Sequence, residues 1–243
     1  MSAASLDPLA LYAAAIDTSD YVAQMAPLVR RSVPAIGDLL DVGAGGGQLG
    51  GALRDPSRLW TTIEPSPTMQ ARLAALKRPP QLVAAGWHEA EVAPDSHDTV
   101  LAATMPATMD EPEAFLARCR SWARRTVVWV VPAHSGPRGL CFAGCLPLEW
   151  HGEDETPGID IVLRGLQPSS KPPEISFAAW TFSGVGADLD ELGNYLADRL
   201  GWPALDDRRA RMVAHLAAQA RREADGFRLE ISRKSAVLVW GKS

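Results

Sequence analysis

Three cysteines among 243 residues are too few for a disulfide framework. Cys141 and Cys145 would share a helix face, but two thiols without companions make a poor zinc site, so buried apolar cysteines and no metal are expected. Basic residues are also in deficit, with 24 Lys and Arg against 29 Asp and Glu and a net charge of -5. That balance argues against a surface that wraps nucleic acid or anionic lipid. The local group Arg118, Arg120, Arg124 and Arg125 reads as a solvated helix face. No apolar run approaches the roughly 20 residues of a membrane span, and no basic stretch followed by an apolar core marks a secretory leader near Met1. A cytoplasmic location is expected, with neither membrane nor nucleic acid as partner. What remains is ordinary globular composition, 47% hydrophobic and 22% charged. No repeat or linker divides it, so one domain over 1–243 is expected.

The most informative stretch is Leu39-Leu40-Asp41-Val42-Gly43-Ala44-Gly45-Gly46-Gly47-Gln48-Leu49-Gly50. It reads as a short buried strand, a glycine turn and the start of a helix. Without side chains at 43, 45 and 47, the backbone can turn sharply and a ligand can lie against it. The following helix would aim free N–H groups and its positive dipole end at that ligand.

Before this loop, a helical lead-in is expected over 6–31, with Leu9, Tyr12, Ala13 and Ile16 on one face. Pro27 should break or kink its second helix. After the loop, strands are expected at 59–64, 81–85, 98–103 and 126–131. A helix capped by Ser66 with Pro67 at its first position buries Met69, Leu73 and Leu76. Another, over about 111–124, buries Phe115, Cys119 and Trp122. Alternating apolar strands and helices with short connections indicate an open, doubly wound parallel sheet covering 35–133. Beyond it the pattern predicts a helix at 139–150 and a surface excursion at 151–173 with one apolar piece, Ile159 to Leu166. A strand at 174–182 and helices around 189–200 and 206–223 follow. These segments make 135–225 a helical insertion or substrate cap. Two strands, 227–232 and 235–240, joined at Arg233-Lys234, would close the sheet in antiparallel fashion.

In such a sheet, ligands bind beyond the carboxyl ends of the strands where strand order reverses. The loop after Val42 and the carboxylate of Glu64, ending the second strand, share that edge. Glu64 can accept hydrogen bonds from two adjacent ribose hydroxyls. Gly45-x-Gly47-x-x-Gly50 satisfies the dinucleotide spacing, a weak signal taken singly. Asp41, fixed at the strand end, discriminates better: it would repel a pyrophosphate and favour a ligand carrying an ammonium and a sulfonium. The charge pattern favours S-adenosylmethionine over NAD.

Leu39 to Gly47 resembles the first motif of the class I S-adenosylmethionine-dependent methyltransferases. Ile63-Glu64-Pro65-Ser66-Pro67-Thr68-Met69 resembles their second, and Asp98 to Leu101 the strand leading to the substrate side. The resemblance covers about 30–133. It implies a Rossmann-like, seven-stranded, mostly parallel sheet with an antiparallel C-terminal strand. It also implies methyl transfer to a small or medium-sized acceptor, with S-adenosylhomocysteine as product. Gly43, Ala44, Gly45 and Gly47 would pack on the methionyl part, Asp41 would hold its amino group directly or through water, and Glu64 would hold the ribose. Pro65 and Met69 would flank the adenine. Gly86-Trp87-His88-Glu89 stands where the family often places an acid, so Trp87 either covers the adenine or is a core residue. Ala103 and Thr104 would line the transfer site. Thr104-Met105-Pro106-Ala107 replaces the Asn-Pro-Pro-Tyr type motif of the amino-methylating branch, which removes support for a base amine or glutamine amide as acceptor. No catalytic residue is assigned; His134 is the first candidate base, then His88 and His151, while His97, at the opposite edge, reads as a surface residue. Tyr12 and Tyr21 are candidate lid residues, and helix packing explains Tyr12 equally well. Two alternatives stay open: an NAD-dependent oxidoreductase using the same loop, and a non-catalytic S-adenosylmethionine-binding protein.

Overall fold

Strand β1 (Leu39–Val42) is buried at all four positions, as is its neighbour β2 (Trp60–Ile63). A strand covered on both faces needs apolar residues throughout, which is why neither alternates. In the computed structural model, which describes residues 7–138 and 142–242, β1 pairs in parallel with β2 on one side. On the other it pairs with β4 (His97–Ala103). Strand β3 (Gln81–Val83) extends the β2 edge and β5 (Ala123–Pro132) the β4 edge, both in parallel. The order continues through β8 (Gly226–Gly241) to β6 (Glu174–Gly186), giving β3-β2-β1-β4-β5-β8-β6, with the short β7 (Arg221–Glu223) paired to β8. Strand β8 runs antiparallel to β5. The order reverses at β1 and β4, so the β1 loop stands at the switch point.

The connecting helices are α1 (Pro8–Thr18), α2 (Tyr21–Ser32), α3 (Gln48–Leu53), α4 (Pro67–Ala74) and α5 (Pro112–Trp122). The later ones are α6 (Leu148–His151), α7 (Gly158–Gly165), α8 (Leu189–Arg199) and α9 (Arg208–Gln219). Helix α5 buries Phe115, Cys119 and Trp122 as expected. Trp87, Phe115 and Trp129 meet edge to face at 5.1 and 4.8 Å in the core beside β5. Burial pushes the Cys119 thiol far above its ordinary range, which makes it an inert core residue.

The chain divides into two compact units. The larger holds Tyr21–His134, Thr156–Trp180 and Arg233–Ser243. The smaller takes residues up to Asp20, Ser135–Glu155 and Thr181–Ser232, so strands β6 and β8 each contribute to both. Among the described residues, no helix is long and apolar enough to cross a membrane, and no group of His, Cys, Asp and Glu is placed to hold a metal.

Several expectations are corrected. Pro27 lies inside α2 without ending it. Both Pro27 and Ala23, whose carbonyl its ring displaces, are exposed, so that carbonyl can be solvated. The stretch 151–173 is not a surface excursion. Its apolar piece forms α7 and buries Ile159, Val162 and Leu166 in the core of the larger unit. Arg233 and Lys234 make no turn, and β8 is one strand. The ladder with β5 reaches Pro132 and Ser235, and the Ala133 N–H donates to the Lys234 carbonyl at 2.7 Å. The Lys234 ammonium sits 4.8 Å from the centre of the Phe177 ring, which gives this charged pair a place within a strand. The segment 206–223 is α9 followed by β7 rather than one helix. In place of a helix at 139–150 there is a single 3-10 turn, Ala143–Cys145, followed by α6; residues 139–141, Cys141 among them, lie outside the described residues, as does residue 6 of the lead-in. His97 is not on the surface. It is 4% exposed, with Nε2 2.8 Å from Thr61 Oγ1 and Nδ1 2.8 Å from Ser96 Oγ, and desolvation lowers its pKa.

Candidate functional site

The loop after β1 folds back on β2. The Gly43 N–H donates to the Ile63 carbonyl at 2.8 Å, and Ala44 N–H donates to the same oxygen at 3.3 Å. Gly43, Gly45 and Gly47 all have positive φ, at 62°, 55° and 76°, which only glycine adopts freely. The three differ in what surrounds them. A Cβ on Gly47 would lie 2.8 Å from Leu73 Cδ2, so this residue is needed for packing against α4. A Cβ on Gly45 would meet nothing within 4 Å. Gly45 is therefore the open floor of the loop, and Gly43, Ala44 and Gly45 are half-exposed.

Glu64 closes the other side. It is 5% exposed, with Oε2 accepting from the Gly45 N–H at 2.8 Å and Oε1 from the Ser66 N–H at 2.8 Å. This carboxylate clamps the glycine loop to the start of α4, a role the sequence reading missed. Each oxygen retains a further acceptor direction, which is what a ribose diol requires. Ser66 caps α4 as expected, its Oγ accepting from the Met69 N–H at 3.4 Å. Pro65 is exposed beside it, while Met69 is buried with Leu73 on the inner face of α4.

Asp41 lies elsewhere than expected. It is 3% exposed, and a Cβ on Gly50 would sit 1.9 Å from its Oδ2, so the carboxylate is tucked beneath α3. Oδ2 has no hydrogen-bond partner, nor has the nearby Trp60 Nε1. Burial, reinforced by the charge of Glu64, pushes the Asp41 carboxyl up to about 7. A carboxylate so covered is no open-surface ligand for an amino group; it is a buried acid behind the loop.

Ala103, which ends β4, and Thr104 after it are half-buried. Thr104 has φ of 54°, a strained value for a β-branched residue, and its N–H donates to the Val130 carbonyl at 3.0 Å. Met105 follows, and its thioether lies on Gly43, a contact not anticipated from the sequence.

Trp87 takes the core alternative. It is 8% exposed, edge-on to Phe115 and stacked on His88 at 3.5 Å. The candidate bases differ in how firmly they are held, His134 most of all. His134 places Nε2 2.6 Å from Arg233 Nη1 and Nδ1 2.9 Å from the Lys234 carbonyl oxygen. Desolvation, with the Arg233 charge, lowers its pKa against the opposing effect of that carbonyl. A histidine held at both nitrogens by β8 is poorly placed to take a proton from a ligand. His88 is exposed, 3.5 Å from Glu111 Oε1. His151, in the smaller unit, is buried and 3.5 Å from Glu155 Oε1. Tyr21 is buried against Trp180 at 4.8 Å, which removes it as a lid, and Tyr12 stacks on Phe182 at 6.1 Å within the smaller unit.

Residues 40–129, which include the β1 loop, Glu64 and the β4 turn, match the protein family described as "Methyltransferase domain". The fold is similar to that of a candidate methyltransferase of Bacillus halodurans, at 10% identity over 90% of this chain and 98% of that one, with a TM-score of 0.52. A candidate type II methyltransferase of Anaeromyxobacter dehalogenans is similar at 18% identity over 99% and 98%, with a TM-score of 0.51. The YcgJ protein of Bacillus subtilis is similar at 13% identity over 89% and 97%, also with a TM-score of 0.51. No curated protein sequence matches the chain.

Proposed function

We propose that this chain, whose residues 40–129 match the family described as "Methyltransferase domain", is a class I S-adenosylmethionine-dependent enzyme that transfers the methyl group to a small-molecule acceptor. The observation that carries the reading is the open floor at Gly45 beside the Glu64 carboxylate, both on the carboxyl edge of β1 and β2. The residues present fit the cofactor. The bare glycine backbone accepts the methionyl chain, and Glu64 keeps acceptor capacity for the ribose hydroxyls. The Glu64 carboxylate beside the loop suits a cationic ligand rather than a pyrophosphate. When bound, the cofactor supplies a methyl group on a sulfonium, already activated for displacement. The chain then has to hold its ligands in line and exclude water. His134, the first candidate base, is held at both ring nitrogens by β8, which suits an acceptor that is nucleophilic without prior loss of a proton.

As the clamp of the loop and the ribose partner together, Glu64→Ala is expected to weaken S-adenosylhomocysteine binding by about 2 kcal/mol or more. Calorimetric titration checks this, and unchanged affinity removes Glu64 from the site. Transfer itself is tested with methyl-labelled S-adenosylmethionine and a panel of small amines, thiols, phenols and carboxylates. Label should move to at least one acceptor. Tight binding with no transfer to any class would instead favour a non-catalytic binding protein.

A further inference from the structure

The space over Gly43 is filled by this chain's own side chain. A Cβ on Gly43 would lie 2.3 Å from Met105 Sδ, 2.5 Å from Cε and 2.8 Å from Cγ, so the whole terminal CH2–S–CH3 rests on the Gly43 backbone. Gly45, two residues on, has no such cover. The placement is set by a strained turn, because Thr104, at φ of 54°, redirects the chain at the end of β4 and lays Met105 across the loop. The turn is tied at its base by Thr104 N–H to the Val130 carbonyl and on its far side by Thr108 Oγ1, which donates to the Met105 carbonyl at 2.8 Å. Met105 itself lies in neither β4 nor the 3-10 helix Pro106–Met109. Its side chain has three rotatable bonds and is only partly buried, at the margin of the core cluster it packs against.

On the reading given above, the methionyl part of the cofactor also packs on this glycine backbone, and it too ends in a sulfur bearing a methyl group. We propose that the Met105 thioether is an internal occupant of the methionyl subsite, holding the Gly43 cradle closed and dry until the cofactor displaces it. Apparent affinity is then reduced by the fraction of molecules in which Met105 covers Gly43. Met105 is a residue that sets cofactor affinity, and it takes no part in the transfer.

The test uses the full chain labelled with 13C at the methionine methyls, with the Met105 signal assigned by its loss in Met105→Leu. Titration with S-adenosylhomocysteine should move the Met105 methyl to the position and narrow line of a solvated methionine. In parallel calorimetry, Met105→Ala should bind S-adenosylhomocysteine roughly tenfold more tightly than the unaltered protein, and Met105→Leu, which still fills the cradle, should not. If the unaltered protein binds the ligand with the Met105 methyl unmoved, or Met105→Ala binds no more tightly, the internal occupant is refuted while the cofactor reading stands. If neither the unaltered protein nor Met105→Ala binds, the cofactor reading itself falls and takes this inference with it.

Discussion

Gly45→Val should abolish S-adenosylhomocysteine binding while leaving a folded protein. The backbone at 45 has φ of 55°, and a side chain there would point into open space. Two effects separate cleanly. The folded state would bear the strain of a β-branched residue in the left-handed region, of order 1–3 kcal/mol, but no clash at Cβ, since nothing lies within 4 Å of it. The ligand, by contrast, would meet two methyl groups on the surface it must lie against. Loss of a hundredfold in affinity corresponds to about 2.7 kcal/mol, and filling the floor should exceed that. Circular dichroism and a thermal melt establish the fold, and calorimetry reads the binding. Gly47→Val is the contrasting variant: its Cβ would press on Leu73 at 2.8 Å, so it should lose stability as well as binding. Normal affinity in Gly45→Val would mean that the loop does not touch the ligand.

Asp41→Asn should stabilise the protein at pH 8 and change it little near pH 4. The cause is the burial of an acid with an unpartnered oxygen beneath α3, next to the charge of Glu64. With the folded pKa near 7 and the ordinary value at 3.8, the folded chain holds a proton between those limits that the unfolded chain has released. Folding stability from this group is therefore fully present below about pH 4, declines as pH rises through the window, and is lost above 7. A displacement of about three units corresponds to on the order of 4 kcal/mol, a large share of the stability of an ordinary domain. Asn has nearly the same shape and no charge to bury, so its melting temperature should follow the unaltered protein at pH 4 and exceed it by several degrees at pH 8. A difference independent of pH would show that Asp41 is not a strained carboxylate in the folded state.

The β1 strand, the glycine turn, the second-strand carboxylate and the Ser66 cap were all legible in the sequence, because each depends on a local pattern of residue types. Burial and partnership were less so. Asp41 stood at the right position, but the side to which its carboxyl turned depended on Gly50, nine residues away, leaving room beneath α3. His97 read as a surface residue because its chain position placed it at the far edge; in the fold its Nε2 meets Thr61 Oγ1 on β2, two strands away across β1. Trp87 could be read either way until Phe115 was seen to pack against it. Met105 was invisible in its functional sense, since the twist of Thr104 that lays it over Gly43 has no sequence signature; a positive φ at a β-branched residue runs against local preference. His134 failed as a base for a similar reason: its partners, Arg233 and Lys234, lie a hundred residues on and were expected to form a turn.

The claim that the loop at 43–47 and Glu64 hold S-adenosylmethionine is tested most directly by calorimetric titration of the full chain with S-adenosylhomocysteine and, in parallel, with NAD. Saturable one-to-one binding of S-adenosylhomocysteine, lost in Gly45→Val, with no heat from NAD, is the predicted result. Binding of NAD alone, or of S-adenosylhomocysteine unchanged by Gly45→Val, would contradict it.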